Sequence, residues 1–476
     1  MTMEETKGIS SKWLVLLTVS IGSFMSGLSS SMLNISFPRL IKVFETEYSV
    51  VLWVTVVFLL VSTGLMPILG RIGDIFGRKR VYILGFILFI VGLMLCSLSQ
   101  SILQLILFRI VQAVGGAIIM ALGYAIVTAT FPDKERGKAL GILTALTLAG
   151  PLMGPVLSGF LLDTLDWRSL FYLIIPVGIV GLVMAWMFLR EQRVPNISSK
   201  LDLWGAGSFF VALVCFLLFL NLGGRLGFSS PPVLILATST VVLMILFFIQ
   251  EKRTTHPMVD LNLFKNWPFT GGNVTLGIQS IGLTGFIFLM PFYLIDGLGY
   301  SALETGFVYA IAPLVTVVIV PVTGWLSDKI GSRILSTIGM VLMSLGLFLF
   351  SGFNTESRLA DIIPSLAVFG IGMGLFSSPN TSRIMGAVPK DRLGTASALM
   401  NTVGQIGMSS GMATFGVIFT SRQAIYAAQL APDNLDLPLL HKLSLIGGYQ
   451  DATLVAAIVC GIGIFTSLIR AKKQPT

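Results

Sequence analysis

Charge is what this sequence has least of. Of its 476 residues, 11% are Asp, Glu, Lys or Arg, 54% are hydrophobic, and only two are histidine. Soluble domains carry roughly 25% charged residues, so the chain lacks the polar side chains to cover a globular surface. Cysteine is scarce as well. Cys96, Cys215 and Cys460 stand inside apolar runs without CxxC or metal-ligand spacing, and read as packing residues. Neither a metal nor another cofactor is expected. There is no HExxH and no GxxxxGK[ST], which argues against a zinc-dependent membrane enzyme and against nucleotide-driven transport. The net charge of +9 comes with no basic stripe or finger motif, so nucleic acid is not an expected partner. A channel would need a filter-like loop or a charged ring, and neither is present.

What the chain does have is long apolar runs, with a mean hydropathy of +0.89. A helix of about 20 apolar residues crosses the hydrocarbon layer, because a bilayer core offers backbone polar groups no other partner. The runs do not alternate as barrel strands would. They predict an all-α polytopic membrane protein with fourteen spans, near 13–33, 51–69, 81–98, 103–130, 139–162, 169–189, 203–222, 232–250, 270–293, 304–325, 334–353, 361–385, 394–419 and 450–469. Lys7 and Lys12 precede an uncleaved first span. With the N-terminus inside, 23 of the 31 Lys and Arg fall in cytoplasmic segments and 7 on the opposite side. The positive-inside rule therefore selects cytoplasmic termini. The expected setting is the plasma membrane, with lipid as the main partner and a monomeric chain.

Two loops echo each other. The first reads Gly70-Arg-Ile-Gly73-Asp74-Ile-Phe-Gly77-Arg78-Lys79-Arg80, the second Gly324-Trp-Leu-Ser327-Asp328-Lys329-Ile-Gly331-Ser-Arg333. Gly70/Gly324, Asp74/Asp328 and Gly77/Gly331 keep one spacing, and Arg136-Gly137 is loosely repeated as Arg392-Leu393-Gly394. A parallel repeat of helix bundles follows, with a substrate path at their interface. The expected division is an N-terminal six-helix bundle over 1–195, two linking helices over 196–255, and a C-terminal six-helix bundle over 256–476.

Gly70 to Arg80 resembles the motif between the second and third helices of major facilitator transporters. The resemblance implies a gate in which Asp74 pairs with arginine and with the facing bundle, echoed by Asp328 and Arg333. Leu107-Phe-Arg109-Ile-Val-Gln112 resembles the family's fourth-helix motif. A cation within a span normally faces a cavity or a partner, and Gln112 is one turn away on the same face. Gly150-Pro151-Leu-Met-Gly154-Pro155-Val-Leu-Ser-Gly159 resembles the fifth-helix motif of antiporters and exporters. Trp167-Arg168-Ser-Leu-Phe171, with Pro176 and Gly178, resembles the sixth-helix signature of fourteen-span drug:proton antiporters.

One departure stands out. That branch carries an acid in its first span, whereas the matching stretch here runs Leu28-Ser29-Ser30-Ser31-Met-Leu-Asn34-Ile-Ser36-Phe37-Pro38. Proton coupling needs a group that titrates inside the membrane, and a serine does not. The remaining acids near span ends are Asp163, Asp296, Glu304 and Asp451. Cavity-lining candidates are Ser29, Ser31, Asn34, Arg109, Gln112, Gln279, Asn380, Asn401 and Gln405; the last two are four apart and share a face. The leading expectation is efflux of hydrophobic or amphipathic drugs by proton antiport with alternating access. The alternative is proton-independent transport of a neutral, lipid-like or anionic metabolite.

Overall fold

The computed structural model describes residues 3–191, 202–254, 261–431 and 436–468. Among them lie fourteen long α-helices and no strand: α1 (Met3–Phe44), α2 (Tyr48–Phe76), α3 (Arg78–Ser97), α4 (Ile102–Thr130), α5 (Asp133–Thr164), α6 (Ser169–Phe188), α7 (Leu203–Leu226), α8 (Pro231–Arg253), α9 (Trp267–Phe292), α10 (Ala302–Ile330), α11 (Ser332–Ser351), α12 (Leu359–Gly386), α13 (Leu393–Leu430) and α14 (Leu437–Leu468). Twelve are long and apolar enough to cross a membrane among the described residues. The two outside that set are α5 and α13. Both have the length, at 32 and 38 residues, but α5 opens on Asp133-Lys-Glu-Arg136 and α13 carries the polar run Gly394 to Gly411.

The chain divides into two compact units. One comprises Met1–Cys215, Thr238–Lys265 and Met385–Thr402; the other comprises Phe216–Ala237, Asn266–Ile384 and Val403–Thr476. In the first unit α1 packs along α5 and α3 along α4, with α2 on α4 and α6 on both α1 and α3. In the second, α14 packs on α11 and α9.

The repeated loops fold alike. Gly77 joins α2 to α3 at φ 102°, and Gly331 joins α10 to α11 at φ 90°. Side chains are disfavoured at such angles, so the repeated glycine supplies the bend. Each glycine amide also closes the preceding helix, Gly77 on the Gly73 carbonyl at 3.1 Å and Gly331 on the Ser327 carbonyl at 3.0 Å.

Other helix ends are set by local chemistry. The Ser101 hydroxyl accepts the Gln104 amide at the start of α4, and the Gln104 side chain returns to the Gln100 amide. Ser301 and Glu304 form a full capping box on α10. Between α9 and α10 the chain makes a π-helical turn, Tyr293–Gly297. Arg168 ties down the far end of the α3–α4 hairpin, donating to the Ser97 and Ser99 carbonyls at 3.1 Å each while stacking on the buried Trp167.

Close helix contact in the first unit rests on small residues. A Cβ on Gly115 would collide with the Phe89 backbone and lie 2.7 Å from the Gly85 carbonyl; one on Gly92 would meet the Gln112 backbone. Such backbone contacts cannot yield by a rotamer change, and overpacking of this kind costs about 1–3 kcal/mol. Gly115→Ala is therefore expected to lower the unfolding temperature in detergent by several degrees. Gly207→Ala, whose Cβ meets nothing within 4 Å, is expected to leave it unchanged.

Candidate functional site

Arg109 lies seven residues into α4 and is fully buried, with 0% exposure. Holding a guanidinium in apolar surroundings costs several kcal/mol unless its donors are matched. Its Nη1 donates to Gln112 Oε1 at 2.6 Å and to Ser29 Oγ at 3.4 Å, and Nε donates to the Val54 carbonyl of α2 at 3.3 Å. Gln112 Nε2 donates to the same Ser29 Oγ at 2.8 Å, so the serine of α1 joins both side chains of α4. The guanidinium lies over the Phe58 ring, 4.4 Å from its centroid, a favourable use of the ring face. Among the described residues Nη2 has no hydrogen-bond partner.

Every hydrogen-bonding partner of this cation among the described residues is neutral. The buried carboxylates among the described residues are Asp74, Asp202 and Glu251, and none is among its partners. Asp202 accepts the Gly205 amide at the start of α7 and lies 3.4 Å from Gln250 Nε2 of α8. The acids expected near span ends have other placements. Glu304 is used in the α10 cap, Asp296 is exposed, and Asp451 pairs with Arg422 at 2.9 Å. The side chain of Asp163 lies outside the described residues, as do those of Asn34 and Pro155.

A second polar centre surrounds Asp74, near the end of α2. Its carboxylate is 2% exposed and fully used. Oδ1 accepts from Arg78 Nε at 3.1 Å, from Arg78 Nη2 at 2.8 Å and from the Gly394 amide at 2.9 Å. Oδ2 accepts the Thr395 amide at 2.9 Å and the Thr395 hydroxyl at 3.2 Å. These amides open α13, where unsatisfied N–H groups and the helix dipole favour an anion. Arg78 continues to the Lys390 carbonyl at 2.7 Å. Glycines make the approach possible. A Cβ on Gly70 would lie 2.5 Å from the Gly394 carbonyl, and one on Gly394 would lie 2.5 Å from Asp74 Oδ1.

The other sequence-predicted residues fall as follows. Gly73 abuts Leu122 of α4, and Gly77 abuts Glu191, which also pairs with the exposed Arg80 at 3.4 Å. Lys79 donates to the Trp186 carbonyl. In the second repeat, the position spaced like Arg78 is Ser332, and Arg333 donates to the Leu468 carbonyl at the end of α14; Asp328 is half-buried at the end of α10. The fifth-helix motif packs α5 on α1. A Cβ on Gly150 would strike the Phe24 carbonyl, one on Gly27 would lie 2.7 Å from the Pro151 ring, and one on Gly154 would strike Ser31, whose hydroxyl turns back to the Leu28 carbonyl. A Cβ on Gly159 would meet no other group within 4 Å among the described residues.

In the second unit Gln279 is buried beside Met343 Sδ, and Asn380 donates to the Gly272 carbonyl at 3.1 Å. Gln405 is half-buried on α13. Sequence reasoning did not reach Phe58 or the Val54 carbonyl beside Arg109, nor the Gly394 and Thr395 amides on Asp74. The repeated Arg392-Leu393-Gly394 was the one available pointer to that last pair.

A long-helical, apolar chain that buries an arginine among neutral partners and ties a carboxylate to a helix start is built as a polytopic membrane protein. The family model of the Major Facilitator Superfamily matches residues 19–412, and the chain belongs to that superfamily. It is similar to the riboflavin transporter RibZ of Clostridioides difficile (strain 630), 33% identical over 462 residues, covering 97% of this chain and 98% of RibZ. It is also similar to the multidrug transporter protein MdtP of Bacillus subtilis (strain 168), 29% identical over 441 residues, covering 92% of this chain and 80% of MdtP. The crystal structure of the human organic anion transporter MFSD10 (TETRAN) shares the fold, with a TM-score of 0.69 at 14% identity over 96% of this chain and 99% of that one.

Hydrogen bonds to charged groups contribute about 1.5–3 kcal/mol each. Asp74→Asn weakens several at once, and Gly394→Ala forces the carboxylate away. Both variants are expected to remain folded on size exclusion and to transport at least about tenfold more slowly than the parent.

Proposed function

We propose that the chain is an alternating-access transporter of small, planar, neutral or anionic heteroaromatic compounds, with a flavin-like molecule as the type of cargo, and that it works without proton exchange at the first helix. The observation that carries this reading is the set of neutral partners around Arg109: Ser29 stands where an acid would be needed, and it is already engaged by Arg109 and Gln112. A fixed positive charge without a carboxylate repels cationic drugs and tolerates neutral or anionic ones. RibZ, named for riboflavin, is similar to this chain over almost its whole length, which supports the choice of cargo class.

A second reading, proton-driven multidrug efflux, is favoured by the likeness to MdtP and by the Gly150–Gly154 packing of α5 on α1. The Asp74 centre serves either reading. It is a contact of the kind that forms in one conformation and breaks in the other, and the chain's charge asymmetry supports a cytoplasmic position for it.

The same reading takes all fourteen helices across the membrane, with both termini inside. The shortest helices have 20 residues, about 30 Å at 1.5 Å per residue. The polar faces of α5 and α13 then belong to the transport path and not to lipid. Impermeant thiol labelling of single cysteines in successive loops is expected to alternate between the two sides; two consecutive loops on one side would contradict the count.

The deciding experiment is flux into and out of proteoliposomes, with riboflavin and a cationic dye as alternative cargoes. The expected result is protein-dependent riboflavin flux of equal rate with and without a pH gradient, and little dye transport. Dye movement that requires the gradient would establish the second reading instead. In the Ser29→Asp variant, which sets a carboxylate against Arg109, the flux is expected to become sensitive to pH.

A further inference from the structure

Asn401 has a place in the sequence that fits cargo contact, but its amide is used elsewhere. Nδ2 donates to the Met120 carbonyl of α4 at 3.0 Å and to the Ser397 carbonyl of its own helix at 2.9 Å. Met120 lies ten residues before the end of α4, about 15 Å along its axis. Its carbonyl has a second lone pair beyond the one used within the helix.

Asn401 follows Gly394 by seven residues, two turns along the same face of α13. Ala398, between them, faces the same way: a Cβ on Gly70 would lie 2.6 Å from the Ala398 Cβ. Gly394, Ala398 and Asn401 therefore form one stripe laid on α2 and α4. The stripe ends abruptly. The first unit includes α13 only as far as Thr402, and the next small residues face α9: a Cβ on Gly407 would lie 2.7 Å from the Gly277 carbonyl, and one on Gly411 would lie 2.7 Å from the Ile281 carbonyl.

We propose that Asn401 is a second tooth of the closure that Asp74 begins, a positioning residue whose bond to Met120 must break each time the first turns of α13 leave α2 and α4. The two teeth differ in kind. The Asp74 centre is ionic and sits where the helices end, whereas the Asn401 bond is neutral and lies two turns deeper. Neither needs the cargo to form, so together they set how often the closed arrangement opens spontaneously. The inference rests on alternating access and is independent of which cargo is carried.

The test uses Ser397→Cys as a reporter, because Ser397 is fully buried beneath this stripe. Alkylation of that thiol by a bulky polar maleimide is timed in detergent, with the protein lacking the reporter as the blank. An interhelical hydrogen bond in a membrane protein contributes about 0.6–1.7 kcal/mol, so Asn401→Leu is expected to speed alkylation about fivefold. Asn401→Asp keeps the volume, removes the donors, and is expected to act in the same direction if the leucine variant does not fold. Combining either with Asp74→Asn is expected to speed alkylation further than either change alone. An alkylation rate equal to the parent's in a folded Asn401 variant would overturn the proposal. If the half-saturating riboflavin concentration rose in that same variant, Asn401 would be a cargo contact instead.

Discussion

A guanidinium cannot be left unmatched in an apolar interior, and most of what is distinctive in the first unit follows from where Arg109 finds its partners. With no carboxylate at hand among the described residues, the charge is spread over the Gln112 amide, the Ser29 hydroxyl, the Val54 carbonyl and the face of Phe58. Those groups come from three helices, so α1, α2 and α4 are held in register by one side chain. Ser29 is the hinge of the arrangement, since it accepts from both Arg109 and Gln112. An acid in its place would neutralise the cation and bring a titratable group into the membrane. Serine brings no titratable group of its own.

The glycines are the complement of that polar centre. Gly92 and Gly115 let α3 and α4 touch backbone to backbone, and Gly150 and Gly154 do the same for α5 on α1. At the other end of α2, Gly70 and Gly394 bring a carboxylate within reach of the start of α13. Tight approach and buried hydrogen bonds depend on each other here. Without the glycines the donors would not reach, and without the donors the glycines would only create close contacts of little energy.

Much of this was legible in the sequence where a residue type is scarce or its geometry is special. Asp74, Arg109 and Gln112 are polar groups in apolar surroundings, and Gly77 and Gly331 recur at a spacing that the fold repeats as two left-handed bends. What was not legible is instructive. The partners of Asp74 are backbone amides, which every residue has. Phe58 is one of 33 phenylalanines, and nothing marks the one that lies beneath the arginine. Helix α1 runs from Met3 to Phe44, well past the predicted 13–33, because hydropathy reports the lipid-facing part and not the helix itself. The capping role of Glu304 could have been read from Ser301-Ala-Leu-Glu304. Asn401 was placed by polarity alone, and polarity does not say whether an amide faces solute or a neighbouring helix.

The central claim is that a charged Arg109 surrounded by neutral groups moves its cargo without moving protons. The most direct measurement is the cargo ratio at which net flux stops in proteoliposomes held at a fixed pH difference. For neutral riboflavin the account predicts that flux stops at equal concentrations inside and outside, whatever the pH difference. A stopping ratio that tracks the proton gradient would contradict it and would require a titratable carrier in the transport path.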